Sequence, residues 1–104
     1  MTLSSAQKKD YKRIGHHLKP VVIVSDQGAS EGVLSELERA LSDHELIKIR
    51  ISVADRDTKQ ALIAQICKAT GAELVQVIGK MAIILRLNKK ANPNLSNLTR
   101  FKNA

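Results

Sequence analysis

Residues 20–31 read Pro20-Val-Val-Ile-Val-Ser-Asp-Gln-Gly-Ala-Ser-Glu31. The β-branched run Val21 to Val24 follows the proline and predicts a short buried strand. Ser25-Asp26-Gln27-Gly28 then supplies turn formers, and Ser30 stands where a helix needs its N-cap. Strand, tight loop and capped helix in succession make a βα unit. The start of a helix leaves backbone N–H groups without intrahelical partners and carries the positive end of the aligned peptide dipoles, so a loop delivered there can receive a phosphate. Every βα unit has a turn of this kind. The charge on both sides of this one gives it a functional reading.

The neighbouring segments extend the pattern. Ser4 and Gln7 have the spacing of a capping box, which predicts a helix over 5–17. Leu3, Ala6 or Gln7, Ile14 and Leu18 give that helix a thin apolar stripe, opposite Lys8, Lys9, Lys12 and Arg13. Beyond the loop, Val33, Leu34, Leu37, Ala40 and Leu41 form the core stripe of a helix over 31–43. The next stretch, 45–53, alternates: Ile47, Ile49 and Ile51 point one way, Lys48 and Arg50 the other. This predicts a sheet with one covered face and one open, basic face.

Asp55 or Asp57 caps a third helix reaching Thr70, with Leu62, Ile63, Ile66, Cys67 and Thr70 inward and Gly71 ending it in the left-handed conformation. Strands over 73–78 and 81–87 flank a tight hairpin turn, Gly79-Lys80. Val75 and Val77 are expected inward with Ile83 and Leu85, leaving Gln76, Ile84 and Arg86 on the open face. The order α-β-α-β-α-β-β predicts a two-layer α/β sandwich. Its four-stranded mixed sheet has helices mainly on one face, strands linked by right-handed crossovers, and the hairpin as an antiparallel edge. Residues 1–87 then form one domain. Residues 88–104, rich in Asn and Lys, are too polar to order by burial and read as a mobile basic tail.

The chain has 104 residues, enough for one core and not for two. Apolar content of 43% and charged content of 26% suit a soluble globular domain, and no apolar run reaches the length of a membrane span. With no apolar leader and a single cysteine, Cys67, a reducing cytoplasm is expected. The net charge of +7 is uneven. Residues 1–19 carry a balance of +4, residues 20–85 one of −2, and residues 86–104 one of +5. A near-neutral core with basic ends suits a polyanionic partner.

Catalytic motifs do not emerge. His16 and His17 are adjacent and diverge on a helix, and no Cys/His spacing fits zinc. Asp55 and Asp57 are explained by capping, and no phosphate-binding fingerprint or nucleophile elbow occurs. No cofactor, metal or small-molecule substrate is expected, and a monomer is. Aromatic content of 2%, Tyr11 and Phe101 only, argues against base stacking on aromatic strands, so RNA contact would run through phosphates and shape.

Further motifs recur in order from His16 to Arg86: His16-His-Leu-Lys-Pro20, Gly28-Ala-Ser-Glu-Gly-Val33, His44-Glu-Leu-Ile-Lys48, Thr70-Gly71 and Val75-Gln-Val-Ile-Gly-Lys80. On these the chain resembles the YhbY family, the stand-alone bacterial form of the CRM (chloroplast RNA splicing and ribosome maturation) domain. The resemblance implies the sandwich above, similar to the C-terminal domain of bacterial translation initiation factor three. It also implies RNA binding and association with precursors of the large ribosomal subunit. The family's Gly-x-x-Gly loop, comparable to the backbone clamp of KH domains, falls on Ser25-Asp26-Gln27-Gly28, with Ser25 in place of the first glycine.

The expected RNA contacts are therefore Ser25, Gln27 and Gly28 in the loop, Lys12, Arg13 and Lys19 on the N-terminal side, Lys80 in the hairpin, and Lys48, Arg50 and Arg86 on the open sheet face. The competing expectation is a protein-interaction module whose open face docks a ribosomal protein. A small DNA-binding protein is disfavoured, since no helix-turn-helix is visible.

Overall fold

Each long helix begins on a side chain suited to the task. In the computed structural model, which describes residues 3–100, Ser4 and Gln7 cap α1 (Ser5–Gly15) reciprocally, at 3.2 and 2.9 Å. Ser30 Oγ accepts from Val33 N at the start of α2 (Glu31–His44). Asp55 accepts from both the backbone and the hydroxyl of Thr58 at the start of α3 (Arg56–Thr70), and these bonds hold its carboxyl below the ordinary aspartate range. Gly71, at φ +73°, closes α3 in the left-handed conformation.

The sheet runs β1-β2-β4-β3. Strand β1 (Pro20–Val24) is parallel to β2 (Leu46–Ile51), and β4 (Met81–Leu85) is antiparallel to both β2 and β3 (Glu73–Ile78). The two-layer mixed architecture is thus present, with α2 and α3 on one face. The hairpin, however, does not end the sheet with β4. Its second strand slots into the centre and β3 becomes the edge. Composition explains this: Ala82, Ile83, Ile84 and Leu85 are all buried, whereas Leu74, Val77 and Ile78 stay partly exposed.

Two cores result. Under α2 and α3 lie Val22, Val24, Ile47, Ile49, Ile51, Ala82 and Ile84, packed on Leu37, Leu41, Ile63 and Ile66. On the other face Leu46, Val75, Ile83 and Leu85 pack on Leu3, Ile14 and Leu18. The face expected to be open is therefore roofed over part of its length by α1. The facing of the hairpin is also reversed in part. Ile84 lies under the helices, while Val75, Ile83 and Leu85 lie under α1. A bulge between Leu74 and Gln76 shifts the alternation of β3. Strand β1 is an edge strand, with Ile23 62% exposed rather than buried.

The C-terminal segment departs most from expectation. Glu45 ends α2 at φ +61°, a strained conformation for a non-glycine residue, and its buried carboxylate accepts from Asn88 N and Ser96 Oγ, each at 2.7 Å. Asn97 Nδ2 donates to Leu46 O at 2.6 Å, His44 Nδ1 to Leu95 O at 2.8 Å, and a short α4 (Asn97–Arg100) follows. Ser96 and Asn97 are buried. Residues 88–98 are held mainly by polar contacts, with Leu98 packed on the second core, which is why a reading based on hydrophobicity made them a mobile tail. The last part of that expected tail, 101–104, lies outside the described residues. None of the described helices is long and apolar enough to cross a membrane.

Candidate nucleic-acid interface

The loop is shaped by one hydrogen bond and one glycine. Gly28 N donates to Ser25 O at 2.8 Å and closes a four-residue turn, and Ser30 N donates to Gly28 O at 3.0 Å. Gly28 adopts φ +74°, and a Cβ there would lie 3.2 Å from Leu62 Cδ2. Gly28 is buried and its amide is already used within the turn, so it shapes the loop and does not offer an N–H outward. Ser25 needs no positive φ, so serine fits the first position without strain. Ser25, Asp26 and Gln27 are exposed, placing a hydroxyl and an amide on either side of one acid.

The hairpin turn lies at the same end of the sheet. Gly79, at φ +56°, opens the turn, Lys80 O accepts from Ile51 N at 2.7 Å, and Ser52 N donates to Val24 O at 2.7 Å. The ends of β1 and β2, the loop and Lys80 are thereby gathered together. Lys59 Nζ donates to Gly79 O and is occupied in holding the turn. From that end the α1-side face runs back through Arg50, exposed, and Lys48, half-buried, to the helix itself. There Lys12 is half-buried, while Arg13 and Lys19 are exposed. Arg13 meets Asp10 at 3.9 Å, a loose surface pair that leaves the guanidinium available. Among the described residues, Lys12, Lys19, Lys48, Arg50 and Lys80 have no ion-pair or side-chain hydrogen-bond partner.

Arg86 does not join them. Its strand position turns it to the helix side, where it donates to Glu38 Oε2 at 2.7 Å, Thr70 O at 2.9 Å, Ser42 Oγ at 3.0 Å and Glu38 O at 3.3 Å. It ties the ends of α2 and α3 to β4, and both of its terminal nitrogens are engaged there. Alternation assigned it to the wrong face for the same reason that Ile84 was misplaced.

His16 and His17 are exposed at the end of α1, and His44 is engaged by the C-terminal segment. Cys67 is half-buried; burial, with Glu73 nearby, pushes its thiol up, so it stays protonated at neutral pH. Among the described residues no group of three or more His, Cys, Asp or Glu is arranged to hold a metal ion. Sequence reasoning missed a row of side chains across the open end of the sheet, Ile23, Arg50, Met81 and Ile78, because strand order, which the sequence does not state, creates it.

The chain is similar to several known proteins. It is 56% identical over 101 residues to the probable RNA-binding protein PA4753 of Pseudomonas aeruginosa, covering 97% of each chain. It is 46% identical over 94 residues to an RNA-binding protein of Haemophilus influenzae, covering 90% of this chain and 95% of that one. The solution structure of the hypothetical protein SAV1595 from Staphylococcus aureus superposes with a TM-score of 0.76 at 31% identity, over 86% of this chain and 93% of that one. The family model for the CRS1/YhbY (CRM) domain matches residues 3–86, and the chain belongs to that family.

Proposed function

We propose that this protein binds RNA without catalysis, along a strip from α1 across Lys48 and Arg50 to the Ser25–Gln27 loop and Lys80. One observation carries the reading: among the described residues Lys12, Lys19, Lys48, Arg50 and Lys80 of this strip have no ion-pair or side-chain hydrogen-bond partner, and Arg13 has only the loose pair with Asp10. Unpaired cations on a contiguous surface are what a phosphate backbone requires. The names of the relatives support the same reading. The resemblance to the YhbY family extends it to ribosomal RNA in precursors of the large subunit, with the protein acting as an assembly factor in the cytoplasm.

Binding to a large-subunit ribosomal RNA fragment across a salt series tests this. Each phosphate contact on a single strand contributes about −0.7 to the log–log slope, so Lys12→Glu/Arg13→Glu and Lys48→Glu/Arg50→Glu should each weaken binding and flatten the slope by roughly 1.4. Absence of wild-type binding at low salt overturns the proposal. Binding that ignores both charge reversals would favour a protein partner for this face.

A further inference from the structure

Directly paired positions share a face of a sheet, and the register sets Ile23 beside Arg50, Arg50 beside Met81, and Met81 beside Ile78. One row thus crosses all four strands, about 14 Å at the usual strand spacing. One row closer to α1, Ile83 is buried beneath Gly15. The cover stops there: Ile23 is 62% exposed, Ile78 40%, Arg50 is exposed and Met81 half-exposed. A single exposed isoleucine is unremarkable, but three apolar side chains in register around an arginine form a strip.

On the sheet itself the charges in and behind the strip have one sign, with the exposed Asp26 of the neighbouring loop the acid beside it. Arg50 is in it, Lys48 lies one row back, and Lys80 sits in the turn joining Ile78 to Met81. The one acid on the described strands, Glu73, pairs with Leu85 at the far end, where α1 covers the sheet. A ligand matching this surface must be apolar and anionic at once. A duplex shows phosphate and sugar outward and keeps its bases stacked inside, so it would use the lysines and leave Ile23 in water. An unpaired strand carries both features, with base faces to lie on Ile23, Met81, Ile78 and the plane of Arg50, and phosphates for Lys48, Lys80 and the Ser25 hydroxyl.

Resting on the RNA-binding reading above, we infer that the open end of the sheet is a seat for unpaired bases and that the RNA bound is single-stranded. A four-stranded sheet of this width holds two or three bases in other RNA-binding modules. Aliphatic side chains present no hydrogen-bonding edge, so the seat tolerates any base.

The test compares a short RNA strand without self-complementarity against the same strand annealed to its complement, by fluorescence anisotropy across a salt series. The single strand should bind about tenfold more tightly, the worth of one or two buried methylenes together with base contact on the arginine plane. Ile23→Ser, a change at an exposed site, should weaken single-strand binding roughly four- to fifteenfold, as for one or two buried methylenes. Its salt slope should stay unchanged, because no phosphate contact is lost. Arg50→Lys keeps the charge and removes the plane, and should weaken binding with the slope likewise retained. Duplex binding as tight as the single strand, or Ile23→Ser binding like wild type, overturns this inference and leaves RNA binding standing. Failure of the wild type to bind either RNA at low salt overturns the RNA-binding reading itself.

Discussion

At Gly15 a missing Cβ sets how closely α1 lies on the sheet. A Cβ there would collide with Ile83 Cδ1 and stand 3.1 Å from Cγ1 and 3.2 Å from Cγ2, and Ile83 is fully buried. Gly to Ala within a helix ordinarily gains up to about 1 kcal/mol. Here overpacking should win, and Gly15→Ala should destabilise by about 1–3 kcal/mol in urea denaturation. Ile83→Val removes the colliding methyl, so the double variant should recover part of the loss, and strict additivity would show that the contact is not the cause. Nothing in the sequence marked Gly15, because its neighbour is remote in the chain. By contrast Ser4, Ser30, Asp55 and Gly71 were legible, since a cap is decided within four residues of itself. Gly28 was half legible: its turn was foreseen, and its close approach to Leu62 of α3 was not.

Elements were legible where one periodicity dominated. The stripes of α2 and α3 each bury a single face, and Ile47, Ile49 and Ile51 of β2 all lie in the core beneath them, so pattern and structure agree there, with Leu46 turned instead under α1. Strand β4 is apolar at every position from Ala82 to Leu85 and offers no alternation to read, and the bulge in β3 removes the register its partner would otherwise lend it. Arg86 inherited that error and was placed among the RNA contacts. Its hydrogen bonds to Glu38, Ser42 and Thr70 assign it instead to holding two helix ends against β4. Arg86→Ala should therefore lower stability by about 1–3 kcal/mol, because the side chain is only partly exposed and leaves bonded partners behind. Arg86→Lys should rescue little, since one ammonium cannot reproduce a planar fork. Thermal unfolding measures both. Under conditions where the variant is folded its RNA salt slope should match the wild type, and a flattened slope would return Arg86 to the footprint.

Across the whole molecule, the sequence divides by charge and the structure divides by contact, and the two divisions do not coincide at residue 87. The basic C-terminal stretch is continuous with the fold through residues 88–98, where Asn88, Ser96 and Asn97 satisfy Glu45 and Leu46 while Leu98 packs on the core beneath α1. Truncation after Leu87 separates the readings. A solvated tail could be removed without changing the unfolding midpoint. A docked strap could not: its loss exposes the Leu46 side of the second core and strips five hydrogen bonds, each contributing about 0.5–1.5 kcal/mol net. Water can reach the freed groups once the segment is gone, so the expected cost is about 2–4 kcal/mol, toward the lower part of that sum. Ser96→Ala is the sharper probe, because it keeps the segment in place and leaves the Glu45 carboxylate short of a donor, at about 1–3 kcal/mol. The RNA salt slope, read on the same truncated protein, decides the remaining question. An unchanged slope with a lowered midpoint makes the segment a structural strap outside the RNA footprint, whereas a flattened slope adds its lysines to the strip that begins on α1.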